Sequence, residues 1–182
     1  MAFGDSLVAG HGLPLNEAFP ARLEAKLKEK GYAVKVVNAG VSGNTTADGV
    51  ARLEWNLKMA KPDYVILVMG GNDMLRAIDP GVTAANLQKM MAILKAHNVP
   101  VLLAGMKAFS NLGPAYMLAY DQMYKKLATD YKAVYYPFFL QGVALKPEFN
   151  QEDGVHPNAI GVNLIVGLMM PSVETLLKTG VK

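Results

Sequence analysis

The chain alternates between short continuous apolar runs and amphipathic stretches. The clearest run is Tyr64-Val65-Ile66-Leu67-Val68-Met69, unbroken by polar residues, as a strand covered on both faces of a parallel sheet must be. Shorter runs over residues 33–37, 99–106 and 133–136 predict further strands, and Met1-Ala2-Phe3 runs into Gly4 as the end of another. Between the runs, apolar residues recur every three or four positions, the period of a helix with one buried face. Phe19, Leu23 and Leu27 mark a helix over residues 15–30, stopped by Gly31. Val50, Leu53, Leu57 and Ala60 mark a second, with Trp55 off its stripe. Leu87, Met90, Met91 and Leu94 mark a third over residues 82–97, and Tyr116, Tyr120, Met123, Tyr124 and Leu127 mark a fourth. A last helix follows Pro157, a residue suited to the first helical position.

Five alternations of strand and helix predict a three-layer α/β/α fold around a parallel sheet. With no internal repeat and no linker, residues 1–182 read as a single domain. The polar, small-residue clusters fall after the strands, on the sheet edge where open α/β folds bind their ligands.

The last helix departs from the amphipathic rule. Between residues 160 and 170 only Asn163 is polar, whereas a helix covering one sheet face leaves its other face polar. Some of Val162, Ile165, Val166 and Met169 are therefore expected on a face that needs its own cover. Burial within the monomer is favoured over a homo-oligomer joined through this helix, with Trp55 as its second contact. No apolar stretch approaches the roughly 20 residues of a membrane span.

Composition narrows the function classes. A hydrophobic fraction of 52% with 18% charged residues describes a compact globular protein. The net charge of +3 is small and its lysines and arginines are scattered, which argues against a nucleic-acid partner. The absence of cysteine excludes disulfides, thiolate metal sites and a cysteine nucleophile. No carboxylate cluster has ligand spacing, and the three histidines lie far apart along the chain, so neither a metal nor a cofactor is expected.

The loops after the strands carry the chemistry. Ser6 follows the first strand in Gly4-Asp5-Ser6-Leu7, which is expected to break at Gly4 into a loop. A serine at that edge can be a nucleophile, though Gly-Asp-Ser is also ordinary turn chemistry. Three histidines could serve as its base: His11 in the same loop, His97 at a helix end, and His156 in Asp153-Gly154-Val155-His156-Pro157. His156 has a carboxylate three residues upstream that can hold the imidazole in the proton-accepting tautomer, while Asp153 could equally cap a turn. Acyl transfer also needs donors for an oxyanion. Gly43, the Asn72 amide and the Ser6 N–H are candidates, each with a simpler turn or capping role open to it.

Together these residues resemble the SGNH hydrolase superfamily, the GDSL esterases and lipases, and within it the bacterial arylesterase, acyl-CoA thioesterase and lysophospholipase group. The resemblance rests on four blocks in order: Gly4-Asp5-Ser6-Leu7, Ser42-Gly43-Asn44-Thr45, Gly70-Gly71-Asn72-Asp73 and Asp153-Gly154-Val155-His156-Pro157. It implies a flavodoxin-like five-stranded parallel sheet, with Ser6 as nucleophile, His156 as base, Asp153 as its partner, and Ser6, Gly43 and Asn72 as the oxyanion hole. The implied activity is hydrolysis of short-to-medium acyl or aryl esters, with thioesters and lysophospholipids within reach. A carbohydrate acetylesterase and a non-catalytic binding domain are the alternatives. Met74, Leu75 and Ile78 after the third strand, and Ala108, Phe109 and Leu112 after the fourth, are expected to wall the acyl pocket. The family resemblance also implies a periplasmic or secreted protein, and a chain beginning inside its first strand, since only Met1, Ala2 and Phe3 precede Gly4.

Overall fold

In the computed structural model, which describes residues 1–180, five strands form one parallel sheet. In chain order the elements are β1 (Ala2–Gly4), α1 (Ser6–Ala9), α2 (Phe19–Glu29), β2 (Asn38–Gly40), α3 (Thr46–Ala60), β3 (Val65–Val68), α4 (Gly71–Leu75), α5 (Pro80–Ala96), β4 (Val101–Ala104), α6 (Pro114–Asp130), β5 (Val134–Tyr136) and α7 (Ala159–Thr179). The sheet order β2-β1-β3-β4-β5 is the flavodoxin-like order, with its switch point between β1 and β3. β3 and β4 are wholly buried, as their unbroken apolar sequences require. Leu87, Met90, Met91 and Leu94 of α5, and Tyr120, Met123, Tyr124 and Leu127 of α6, face the core as their spacing predicts.

Several boundaries differ from the sequence expectation. The helix expected over residues 15–30 begins only at Phe19; Leu15–Glu17 is a separate 3₁₀ turn, because Ala18 is extended and Pro20 fits only the helix's first turn. The strand expected over residues 33–37 lies at 38–40 instead. Its β-branched residues run along the sheet edge, where Val36 N–H donates to the Glu24 carboxylate and Val34 N–H to the Tyr32 carbonyl. Neither Gly4 nor Gly70 opens a loop: α1 starts at Ser6 and α4 at Gly71, so each strand turns directly into a short helix. Pro157 is not the first residue of α7. It bridges to Asn150, and Asn158 caps the helix by accepting from Gly161 N–H at 2.9 Å.

The face of α7 that seemed to need a second cover is its core face. Val162, Ile165, Val166 and Met169 are all buried, and Ile160, Asn163, Gly167 and Leu168 point outward. The apolar excess arises because exposed positions carry Ile160 and Leu168 where polar residues were expected. At 21 residues α7 has the length and composition of a membrane span, contrary to the sequence expectation. Its buried stripe, continued by Met170, Val173 and Leu176, is that of a core helix.

Candidate active site

The switch point fixes where the site forms. β1 and β3 are adjacent and parallel, with Gly4 opposite Val68, so the segments after them emerge side by side. Ser6 enters at the first position of α1, where its backbone N–H has no intrahelical acceptor. Asp5 caps that helix, its carboxylate accepting from Leu7 N–H at 3.0 Å. The turn is tight: a side chain at Gly4 would collide with Val8 and with the Val68 carbonyl.

The 153–156 loop folds over this turn. Asp153 accepts from the backbone N–H groups of His156 and Val155, both at 2.9 Å, and its second oxygen lies 2.7 Å from His156 Nδ1. The His156 N–H bond, then the imidazole contact, holds the Asp153 carboxyl down to about 2. It is thus an acceptor near neutrality, so Nδ1 must be the donor and Nε2 is left as the acceptor. His156 Nε2 lies 2.9 Å from Ser6 Oγ, and the serine hydroxyl donates to it. This is a serine–histidine–aspartate relay in geometry and in tautomer.

The oxyanion candidates follow β2 and β3. Asn72, in α4, donates its amide to the Asn44 carbonyl at 2.9 Å, which joins α4 to the loop after β2. Gly43 takes a left-handed φ of +81° with open space where a side chain would stand, and Arg76 holds its carbonyl at 2.9 Å. Asp73 is buried and accepts from Thr46 N–H at 2.9 Å and from the Thr46 hydroxyl; it ties α4 to the start of α3. Asp5 is also buried, and desolvation raises its carboxyl to about 6.

Sequence reasoning missed Arg52. Its guanidinium donates to the Gly4 carbonyl at 2.7 Å, the Ala39 carbonyl at 2.9 Å and the Asn44 side chain at 2.7 Å, and lies 3.9 Å from the Phe3 ring centroid. One side chain therefore pins the ends of β1 and β2 and the loop that holds Gly43. The available signal was an arginine within an otherwise apolar turn of a helix.

Ser6 and His156 open into a cavity of about 100 Å³ whose walls include Leu7, Met74, Leu75, Met106, Phe109 and Phe138. Of the expected wall, Met74, Leu75 and Phe109 line it; Ile78, Ala108 and Leu112 do not. The Ile78 carbonyl instead accepts from the Tyr116 hydroxyl at 2.7 Å, and Ala108 and Leu112 pack against the core. Leu140, Ala144 and Leu145, from the segment after β5, complete the wall and had no periodic signal. Gly43 is not part of it. A larger groove of about 640 Å³ between α5 and α6 has no such chemistry; its Lys126 and Asp130 pair with each other.

The histidines are not all far apart. His11 packs against His156, with ring centroids 4.5 Å apart, and His11, Asp153 and His156 bring ligand-type atoms within 4.8 Å of one another. Both His156 nitrogens are already engaged, by Asp153 and by Ser6. A cation there would have to break the relay. His97 lies at the end of α5, remote from the site.

The chain is similar to known proteins over most of its length. Residues 2–164 match the model of the GDSL-like Lipase/Acylhydrolase family. The chain is 37% identical over 177 residues to the Thioesterase 1/protease 1/lysophospholipase L1 of Escherichia coli K12, covering 97% of this chain and 84% of that protein. It is 38% identical over 157 residues to an arylesterase of Vibrio mimicus, covering 86% and 78% of the two. The crystal structure of TesA superposes with a TM-score of 0.91 at 36% identity, over 96% of this chain and 97% of that one.

Proposed function

The chain belongs to the GDSL-like Lipase/Acylhydrolase family and is a carboxylic ester hydrolase; on that premise we propose that Ser6, His156 and Asp153 carry its catalysis, on esters of short-to-medium acyl or aryl groups. The observation that carries this reading is the 2.9 Å contact of Ser6 Oγ with His156 Nε2, backed by Asp153 at 2.7 Å from Nδ1. Ser6 Oγ attacks the ester carbonyl carbon as its proton passes to Nε2. The tetrahedral oxyanion is met by the Ser6 and Gly43 N–H groups and the Asn72 amide. Collapse breaks the bond to the leaving oxygen, which takes the proton from His156. Water then attacks the acyl-Ser6 ester with the same base, releasing the acid.

The acyl group lies against Met74, Leu75 and Phe109. A cavity of about 100 Å³, room for roughly three water-sized groups, favours short chains. Its apolar wall disfavours a carbohydrate acetylesterase, since sugars need polar partners. The substrate is a small-molecule ester, with no nucleic-acid or cofactor requirement, and thioester or lysophospholipid cleavage falls within the same chemistry. A periplasmic or secreted, monomeric protein is part of this reading.

A p-nitrophenyl ester series from acetate to palmitate, run beside an acetylated xylose, tests it. Hydrolysis should peak at short to medium chains, and Ser6→Ala should lower kcat by about 10⁴-fold or more. Stoichiometric labelling of Ser6 by an organophosphonate separates the enzyme from a binding domain. Near-normal turnover in the alanine variant would end the serine mechanism.

A further inference from the structure

The nucleophile and the base come from opposite ends of the chain, 150 residues apart. Among the described residues, two hydrogen bonds join segment 1–13 to segment 150–158. One is the reacting pair, Ser6 Oγ and His156 Nε2. In the other, Gln151 Nε2 donates to the His11 carbonyl at 2.7 Å. The first cannot maintain the alignment through a turnover, because Ser6 Oγ becomes an ester oxygen in the acyl-enzyme and has no proton to donate. The second involves no reacting atom, so no step of the reaction removes its donor or its acceptor.

Gln151 is also bound firmly into the base loop. Its N–H donates to the His156 carbonyl at 2.8 Å and its carbonyl accepts from Gly154 N–H at 2.9 Å. The same Nε2 that reaches His11 also donates to the Pro157 carbonyl, at 3.0 Å. The loop that carries the imidazole is therefore folded on Gln151, and its side chain fastens that loop to the segment carrying Ser6. Gly12 makes room for it: with φ of +73°, any side chain there would run into the Gln151 amide.

We propose that Gln151 is the positioning residue that keeps His156 at reacting distance from Ser6 throughout the cycle. This rests on the serine–histidine reading above. Gln151 does not touch the reacting atoms and does not itself line the cavity; it acts through His156. Its donor amide is the essential feature, because both side-chain partners are carbonyls. A carboxylate at the same place would face two acceptors.

The test compares Gln151→Ala and the isosteric Gln151→Glu with wild type and Ser6→Ala, using p-nitrophenyl butyrate and an organophosphonate. Both Gln151 variants should lose roughly 10- to 100-fold in kcat, the scale of an ångström-sized misplacement of a catalytic group, with KM within about 2-fold. Phosphonylation of Ser6 should slow in proportion, since it needs the same proton transfer. For Gln151→Glu, activity relative to wild type should rise as pH falls through about 5, where a carboxylic acid regains a donor. Should the alanine variant not fold, the isosteric one carries the test. Wild-type kcat in a folded Gln151 variant, or a kcat loss that tracks only thermal destabilisation, overturns the proposal while Ser6→Ala stays inactive. If Ser6→Ala itself remains active, the failure lies in the triad reading.

Discussion

The rings of His11 and His156 stand 4.5 Å apart with their planes inclined by 39°, so the proposed base has one face covered by a second imidazole. His11 reaches neither Ser6 nor Asp153 by a hydrogen bond among the described residues. Its ring acts by packing. His11→Ala should retain activity within a few-fold of wild type, and His11→Phe, which keeps a ring over His156, should lose less. Steady-state kinetics on one p-nitrophenyl ester decides it. An inactive His11→Ala beside an active His156→Ala would reassign the base.

Asn72 is the side-chain member of the oxyanion set proposed above, and its amide donates to the Asn44 carbonyl. Asn72→Ala should lower kcat by about 10²–10³ with a smaller effect on KM, the loss expected for one oxyanion donor. Asn72→Asp should be at least as damaging, because a carboxylate would face the developing negative charge. Wild-type kcat in the aspartate variant removes Asn72 from the hole.

The carboxylates of Asp5 and Asp153 give opposite pH dependences. Asp5, raised by burial to about 6 from an unfolded value near 4, binds its proton more tightly in the folded state. The fold therefore loses stability as pH rises from about 4 to 6, by on the order of 3 kcal/mol. Asp153, held to about 2 chiefly by His156 N–H, contributes stability above its unfolded value that fades as pH falls from about 4 toward 2. Denaturant titrations should show wild type weakening relative to Asp5→Asn between pH 4 and 6. A constant difference between the two across that range would contradict a neutral Asp5 at low pH.

Phe109 lines the cavity and is 40% exposed. Phe109→Ala should shift the preferred acyl chain toward longer esters. An unchanged chain-length profile would place the acyl group elsewhere, against Phe138 or Leu145.

Val166 is 3% exposed on the core face of α7, whereas Ile160 is 62% exposed. Val166→Lys should destabilise the protein by on the order of 3–5 kcal/mol, the cost of a buried unpaired charge. Ile160→Lys should stay within about 0.5 kcal/mol, with the mass by light scattering unchanged. A drop in mass for the Ile160 variant would reveal a subunit interface on the outer face of this helix.

The sequence by itself determined the order of strands and helices, the parallel sheet and the four segments that could carry chemistry. Hydrophobic period and residue type are local properties: Val65 to Val68 need cover on both sides wherever they lie, and His156 brings its own aspartate three residues away. What the chain could not specify locally was decided by tertiary packing. β2 begins at Asn38 and not Ala33 because hydrogen bonding to β1 starts where β1 itself starts, and Glu24 takes the Val36 amide. Val162 and Val166 proved to be core because the side of α7 that meets the sheet depends on the cap at Asn158 and the path of the preceding loop. Arg52, Gln151 and the cavity wall after β5 left no periodic signal. Their roles consist of contacts made across the fold, such as Arg52 with the Gly4 carbonyl and Gln151 with the His11 carbonyl, which exist only once distant segments have packed together.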